Sequence, residues 1–357
     1  MRLLTNREYD VIVVGGGPAG SATAICCASA GKEVLLIEKG SRERDKPCGG
    51  VLPLVAPETI EDIVGESIPD EVRADPSELG LYYVPPSGRA NGGRVKNYSI
   101  HNIDRAPFDQ WIRDLAIDEG VVVKHDSQCI DITKTDQYKV LIHSKEGESV
   151  EHSDYLVGAD GVRSSVREKL FKSSNAPVMI VEQEHWKRSG DFEDCFYGFF
   201  RGDVSIAYAY LIPKGDSLIL GLGAVPHQEP NVVELLKRFR VWLEKEFSFV
   251  PTQCIKKEAW SIPFGYFIPG EGTALLVGDA AGLCNPLSGE GIRLGVESGE
   301  AAANAIASEN KERDPALIYA RDMGGLVNMI EELNDFVRTV DDDGREEFVR
   351  SELERRT

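Results

Sequence analysis

The stretch YDVIVVGGGPAGSATAICCASAGKEVLLIE, residues 9–38, decides the fold. Its β-branched run Tyr9–Val14 suits a strand buried on both faces, and the small residues Ala19–Ala30 suit a helix packed closely on a sheet. Lys32–Glu38 then returns to a buried strand. A GxGxxG motif, Gly15, Gly17 and Gly20, lies between the first strand and the helix, with Pro18 and Ala19 opening the helix. Strand, glycine turn, helix and strand make one βαβ unit. A dinucleotide pyrophosphate needs backbone N–H groups and the positive end of a helix, and glycine lets the backbone approach it. Glu38 closes the second strand, where a carboxylate accepts both ribose hydroxyls and disfavours a 2′-phosphate. Val11–Gly31 is also the longest stretch without a charge, but its glycines and Pro18 would break a membrane-spanning helix.

Working outward, Ser41–Gly50 is polar and irregular, the composition of a loop over a site. Helical periodicity runs from Ala106 to Glu119, strand character returns at 121–123, and Tyr138–Ile142 and Glu151–Val157 read as further strands. Phe196–Arg201, Val204–Ile212 and Ser217–Ala224 come as closely spaced strands, followed by a helix at Val232–Phe247. Glycine-rich apolar sequence resumes at Thr273, and Glu290–Ala307 is a small-residue helix. Beyond Ser308 the chain is charged, with helical stretches at Leu326–Val340 and Arg345–Arg355. The expected fold class is α/β, α+β overall: a Rossmann-like dinucleotide domain from residues 1–75, 100–175 and 268–310, an inserted antiparallel β-sheet substrate domain from 76–99 and 176–267, and a short helical segment at 311–357.

The 357 residues carry 40 Lys+Arg against 59 Asp+Glu, a net charge of −19 that excludes a simple nucleic-acid binder. Seven cysteines with no CxxC and no secretory signal read as reduced thiols of a cytoplasmic protein. The histidines show no metal-ligand spacing, so no metal site is expected.

YLVGADGVRSSVR (155–167) and LLVGDAAGLCNPLSGEGIR (275–293) resemble the two later fingerprints of the flavoprotein monooxygenase and reductase superfamily with a single Rossmann domain. The resemblance implies FAD as cofactor. It places Asp160 and Gly161 at the nucleotide, Gly278 and Asp279 at the ribitol, and Pro286, Gly289, Gly291 and Ile292 beside the flavin ring. Arg105, in NIDRAPFDQWI, matches the superfamily's arginine at the FAD phosphates, and Lys39 follows Glu38 at the adenosine end. As one GxGxxG unit is present, the electron donor, NAD(P)H, ferredoxin or a similar carrier, is expected to visit transiently.

KPCGGVLPL (46–54) and YAYLIPKG (208–215) resemble segments of the geranylgeranyl reductases, including their chlorophyll-pathway and archaeal lipid branches. That resemblance implies saturation of C=C bonds in an isoprenoid chain, the substrate being a prenyl lipid. It sets Cys48, Gly49 and Gly50 near the isoalloxazine ring, and Tyr208, Tyr210 and Pro213 along the substrate cavity. Tyr210 and Ile212 replace the family's usual tryptophan and phenylalanine, and the chain after Ala307 is shorter than in many members. Cys48 and Cys284 are expected to be close enough for a reversible disulfide. The basic cluster Lys39, Arg42, Arg44 and Lys46 is a candidate for peripheral membrane contact. Two rival readings share the fold: an aromatic hydroxylase or other class A monooxygenase, and a non-catalytic flavoprotein carrier or sensor. For a halogenase, only the second half of a WxWxIP segment is present, at Trp260–Pro263.

Overall fold

A computed structural model of the chain describes residues 8–173, 175–227, 230–308 and 314–355. The expected chain start and the boundary near 310 lie outside these residues. Two eight-stranded sheets stand side by side in the topology. The first has five parallel strands at its centre, in the order Ala274–Leu276, Gly147–Gly158, Glu8–Val14, Val34–Ile37, Val122–Lys124. Val11, Ile12, Val13, Leu35 and Leu36 are fully buried, as strands covered on both faces require. Helix Pro18–Ser29 packs against helix Ile292–Ala307 at backbone distance: a Cβ on Gly299 would lie 2.6 Å from Ala19 O and 2.9 Å from Thr23 N. The small-residue composition of both helices follows from that approach.

The second sheet runs Cys254–Pro263, Val178–Lys187, Ser217–Ala224, Ala209–Lys214, Cys195–Phe199, Arg73–Val84, Gly93–Ile103, Val51–Leu52. It is antiparallel except at one junction, where Cys195–Phe199 pairs in parallel with Arg73–Val84. Leu218, Leu220 and Leu222 bury one face against Leu235, Leu236, Phe239 and Leu243 of helix Val232–Glu246. On the other face the intervening residues are Ile219, Gly221 and Gly223, and two of these three are bare backbone.

The strand expected at Val204–Ile212 instead begins at Ala209. Ser205 Oγ donates to Gly223 O at 2.9 Å and accepts from Ala207 N at 3.3 Å, a local bonding pattern that competes with the ladder. Helix Asp342–Arg355 folds back onto the second sheet, where Phe348 packs on Phe200 with ring centroids 5.2 Å apart. Arg345 Nη2 donates to Ile206 O at 2.9 Å. No described helix is long and apolar enough to cross a membrane.

Candidate functional site

The glycine turn is built around backbone contacts that exclude a side chain. Gly15 holds φ at 110°, and a Cβ there would collide with Ala159 O; one on Gly20 would collide with Gly15 O. Gly17 precedes helix Pro18–Ser29 without any side-chain cap, so the first N–H groups of the helix stay open toward the turn. Glu38, 2% exposed, accepts from Gly16 N at 2.8 Å and Gly40 N at 2.7 Å. Its carboxylate has lone pairs left for further donors. Lys39, the next residue, is exposed.

Helix Arg105–Asp118 contributes Arg105, Asp109 and Arg113, four residues apart and therefore on one face. Asp109 accepts from Arg105 Nε at 2.6 Å and from Arg44 Nη2 at 2.8 Å. Burial works to raise the Asp109 carboxyl, but the two guanidinium groups outweigh it and hold it below the usual range. Burial opposes the charge on Arg105 as well, yet Asp109 and Cys48 keep its pKa above the ordinary value. The fully buried Arg113 donates to Gly16 O at 2.8 Å and to Arg42 O at 2.6 Å, tying the 41–50 loop to the glycine turn. Arg44 Nε is buried without a hydrogen-bond partner, and a Cβ on Gly17 would lie 3.1 Å from Arg44 Nη2. An open helix start beside an incompletely bonded guanidinium fits a pyrophosphate.

The later segments converge on the same place. Asp160 Oδ2 accepts from Ser165 N at 2.6 Å and Ser165 Oγ at 2.8 Å, capping helix Ser165–Phe171, while Oδ1 is buried and unpartnered. The adjoining Gly161, at φ 83°, has open space around it. Arg167 clips the two fingerprints together through Val162 O at 2.6 Å and Ala280 O at 2.7 Å. A Cβ on Gly278 would meet Ala19 at 2.8 Å, and Asp279 accepts from Lys46 Nζ at 2.9 Å. Gly291 precedes helix Ile292–Ala307, again without a side-chain cap, and its Cβ position is 3.3 Å from Asp279 Oδ1. Between them Pro286 is buried, Gly289 is exposed, and Asn285 Oδ1 accepts from Leu287 N at 2.9 Å and Ser288 N at 3.0 Å.

Two segments meet next to this site through residues 165 positions apart in the chain. Lys214 Nζ donates to Ile103 O at 2.6 Å and to Gly49 O at 3.1 Å, and a Cβ on Gly49 would lie 2.7 Å from Ile212 Cδ1. Burial lowers the Lys214 ammonium below its usual range, partly offset by Asp104. Pro213 O accepts from Asn102 Nδ2 at 3.3 Å. Cys48 Sγ accepts from Gly50 N at 3.3 Å and lies close enough to Arg105 to favour its charge. Tyr208 donates to Ser288 O at 3.1 Å and Tyr210 to Gln183 Oε1 at 3.0 Å. Phe196 packs on both tyrosines, with centroids 6.0 and 6.3 Å away.

All seven cysteines are free thiols, and burial pushes the Cys284 thiol well up. Cys26, Cys27 and Cys129 are pushed up to about 12 by burial, the behaviour of packing residues. The basic cluster divides: Arg44 pairs with Asp109 at 2.8 Å and Lys46 with Asp279 at 2.9 Å inside the site, whereas Lys39 and Arg42 are exposed, Arg42 pairing with Asp114 at 2.8 Å. Among the described residues no cluster could hold a metal ion. Arg113, Asp109, Gln183 and Lys214 were not singled out from the sequence. The spacing of Arg105, Asp109 and Arg113 was a usable signal, whereas Gln183 had none.

Residues 8–183 match the FAD binding domain family. The chain is 30% identical over 324 residues to protein CbrA of Escherichia coli O9:H4 (strain HS), covering 87% of this chain and 84% of that protein. In fold it is similar to a geranylgeranyl bacteriochlorophyll reductase-like protein from Thermoplasma acidophilum, with TM-score 0.83 and 21% identity over 98% of this chain and 92% of the other. It is also similar to the myxobacterial chondrochloren halogenase, with TM-score 0.72 and 18% identity over 98% and 91% of the two chains.

Proposed function

The chain belongs to the FAD-binding oxidoreductase family that includes protein CbrA, and on that premise we propose that it is a reductase of isolated C=C bonds in the isoprenoid chain of a prenyl lipid. The observation that carries this reading is the contact between KPCGG and YAYLIPKG, made by Lys214 on Gly49 O and by Ile212 beside Gly49. FAD, when bound and reduced, supplies the hydride.

In this reading the open N–H groups after Gly17, with Arg44 and Arg105, hold the pyrophosphate, and Glu38 holds the ribose. Asp160 Oδ1, buried without a partner, is placed to take a further polar group of the cofactor. Asp279 and Lys46 would receive the ribitol and the amides of Gly291 and Ile292 would meet the flavin ring, whereas the Gly289 N–H is spent on Asn285 O at 2.9 Å. Lys214 fixes the loop that shuts water out, and Tyr208, Tyr210 and Pro213 shape an apolar cavity. Cys48, whose Sγ accepts from Gly50 N–H at 3.3 Å, is assigned the proton for the second alkene carbon. An electron donor visits transiently, in keeping with the one dinucleotide fold among the described residues. Leu54 and Val55, exposed and following the Cys48 loop in sequence, are the apolar residues assigned to peripheral contact with lipid.

The test is anaerobic. Reduced holoprotein is mixed with a geranylgeranylated lipid, and the expected result is flavin reoxidation with a lipid product heavier by two hydrogens per bond. If the lipid leaves the reduced flavin untouched while oxygen and an aromatic compound yield a hydroxylated product, the monooxygenase reading replaces it.

A further inference from the structure

Tyr210, Gly221, Gln183 and Glu258 lie in one row across four strands: Tyr210 pairs with Gly221, Gly221 with Gln183, and Gln183 with Glu258. Cross-strand partners share a face, here the face opposite the leucine layer. Gly221 supplies no side chain, and the Tyr210 ring occupies the space: a Cβ on Gly221 would collide with its Cζ and hydroxyl. The tyrosine thereby reaches over one strand to Gln183, which is fully buried.

The direction of the hydrogen bonds that link Glu258 through Gln183 to Tyr210 is fixed from the carboxylate end. Glu258 accepts from Lys256 Nζ at 2.7 Å, from His185 Nε2 at 2.7 Å and from Gln183 Nε2 at 2.8 Å. Burial works to raise the Glu258 carboxyl, but these three donors outweigh it and keep it below the usual value. An ionised carboxylate only accepts, so the amide must turn its NH2 toward Glu258 and its carbonyl toward Tyr210. A carbonyl only accepts, so the tyrosine hydroxyl must donate. Burial pushes the Tyr210 phenol upward, so the hydrogen is there to give.

We propose that Gln183 and Glu258 are positioning residues that hold Tyr210 flat on the sheet with its single hydroxyl hydrogen spent on the protein, so that it offers a ligand only its ring face and oxygen lone pairs. Such a surface stabilises a substrate carbon carrying positive charge and cannot protonate it. The identity of that substrate rests on the reductase reading above; the direction of the hydrogen bonds does not.

Two measurements test this on the FAD-loaded protein. The Raman doublet of tyrosine, taken as wild type minus Tyr210→Phe, is expected to show a hydroxyl that donates to a strong acceptor, and Gln183→Met is expected to remove that signature. A wild-type signature of an accepting or unbonded hydroxyl overturns the proposal whether or not any lipid is reduced. In single turnovers with geranylgeranylated lipid, Gln183→Met should slow flavin reoxidation about tenfold when Tyr210 is present and less than about twofold in Tyr210→Phe, the coupling expected of residues acting as a unit. Equal slowing in both backgrounds shows that Gln183 does not act through Tyr210. If Gln183→Met fails to take up FAD, Glu258→Gln replaces it, because a neutral amide at 258 lets the Gln183 amide flip and weakens the same signature. Absence of lipid turnover in the wild type, with the donor signature intact, discards the reductase reading and keeps the orientation of Tyr210.

Discussion

Gly20 in the first sheet's turn and Gly221 in the second sheet are both glycines because a Cβ would strike something, and what it would strike differs. At Gly20 it is Gly15 O, a backbone atom fixed by the strand and helix on either side; at Gly221 it is the Tyr210 ring, which can swing away. The first sheet thus uses glycine to bring backbone near a ligand, the second to lay down a side chain. Gly20→Val should be the most damaging change to the cofactor site: the turn cannot form, and bound FAD, measured as flavin absorbance per protein, should fall by more than roughly 100-fold.

The same division separates two carboxylates. Asp109, wholly buried, neutralises two arginines, whereas Glu258 is served by Lys256, whose side chain is 46% exposed. Asp109→Asn leaves Arg105 and Arg44 without their counter-charge and should cost about 3–5 kcal/mol in urea melts at pH 7. Its folded pKa is depressed, so the stability it supplies is present above the unfolded value of 3.8 and is lost as pH falls through the lower folded value. The gap between wild type and variant should therefore narrow as melts are repeated below that pH, and a gap independent of pH would show that the charge of Asp109 is not what matters.

Gly221→Ala tests the other side of the comparison. Displacing Tyr210 should leave FAD uptake and the melting midpoint nearly unchanged and slow single turnovers roughly 10- to 100-fold, the cost of a misplaced group at a site. An equal loss of FAD would mean that the cavity floor and the cofactor site are one mechanical unit.

The two sheets were also unequally legible in the sequence. GxGxxG, Glu38 and the segments around Asp160 and Asp279 are contiguous stretches whose chemistry is local, so the nucleotide fold could be read directly. The pairs that complete the site join residues far apart in the chain: Arg113 with Gly16, Lys46 with Asp279, Gln183 with Glu258. No periodicity encodes such partners. The LILGLGA run was read as a strand, but its alternation held more: leucines on one side, glycines on the other, the pattern of a strand that packs on a helix with one face and is cleared for another group on the other. The parallel junction at Cys195–Phe199 escaped because strand direction is set by the path of the chain between strands.

The smallest expected effect concerns how the two sheets are tied by the 41–50 loop. Two lysines of the second sheet reach it: Lys214 to Gly49 O at 3.1 Å, and Lys256 to Asp45 at 3.0 Å. Their surroundings differ. The Lys214 side chain is 17% exposed and also holds Ile103 O, at the strand end that leads into the Arg105 helix; Lys256 and Asp45 are about half in water. An exposed pair is screened by solvent and costs side-chain entropy, so Asp45→Asn should change stability by less than about 1 kcal/mol and leave FAD binding intact. Lys214→Met strands two carbonyls and should cost about 1–3 kcal/mol while loosening the Cys48 loop, read as faster quenching of the flavin by solvent. If Asp45→Asn proves as costly as Lys214→Met, the loop is held by its tip and not by its base, and the site must open from the Cys48 end.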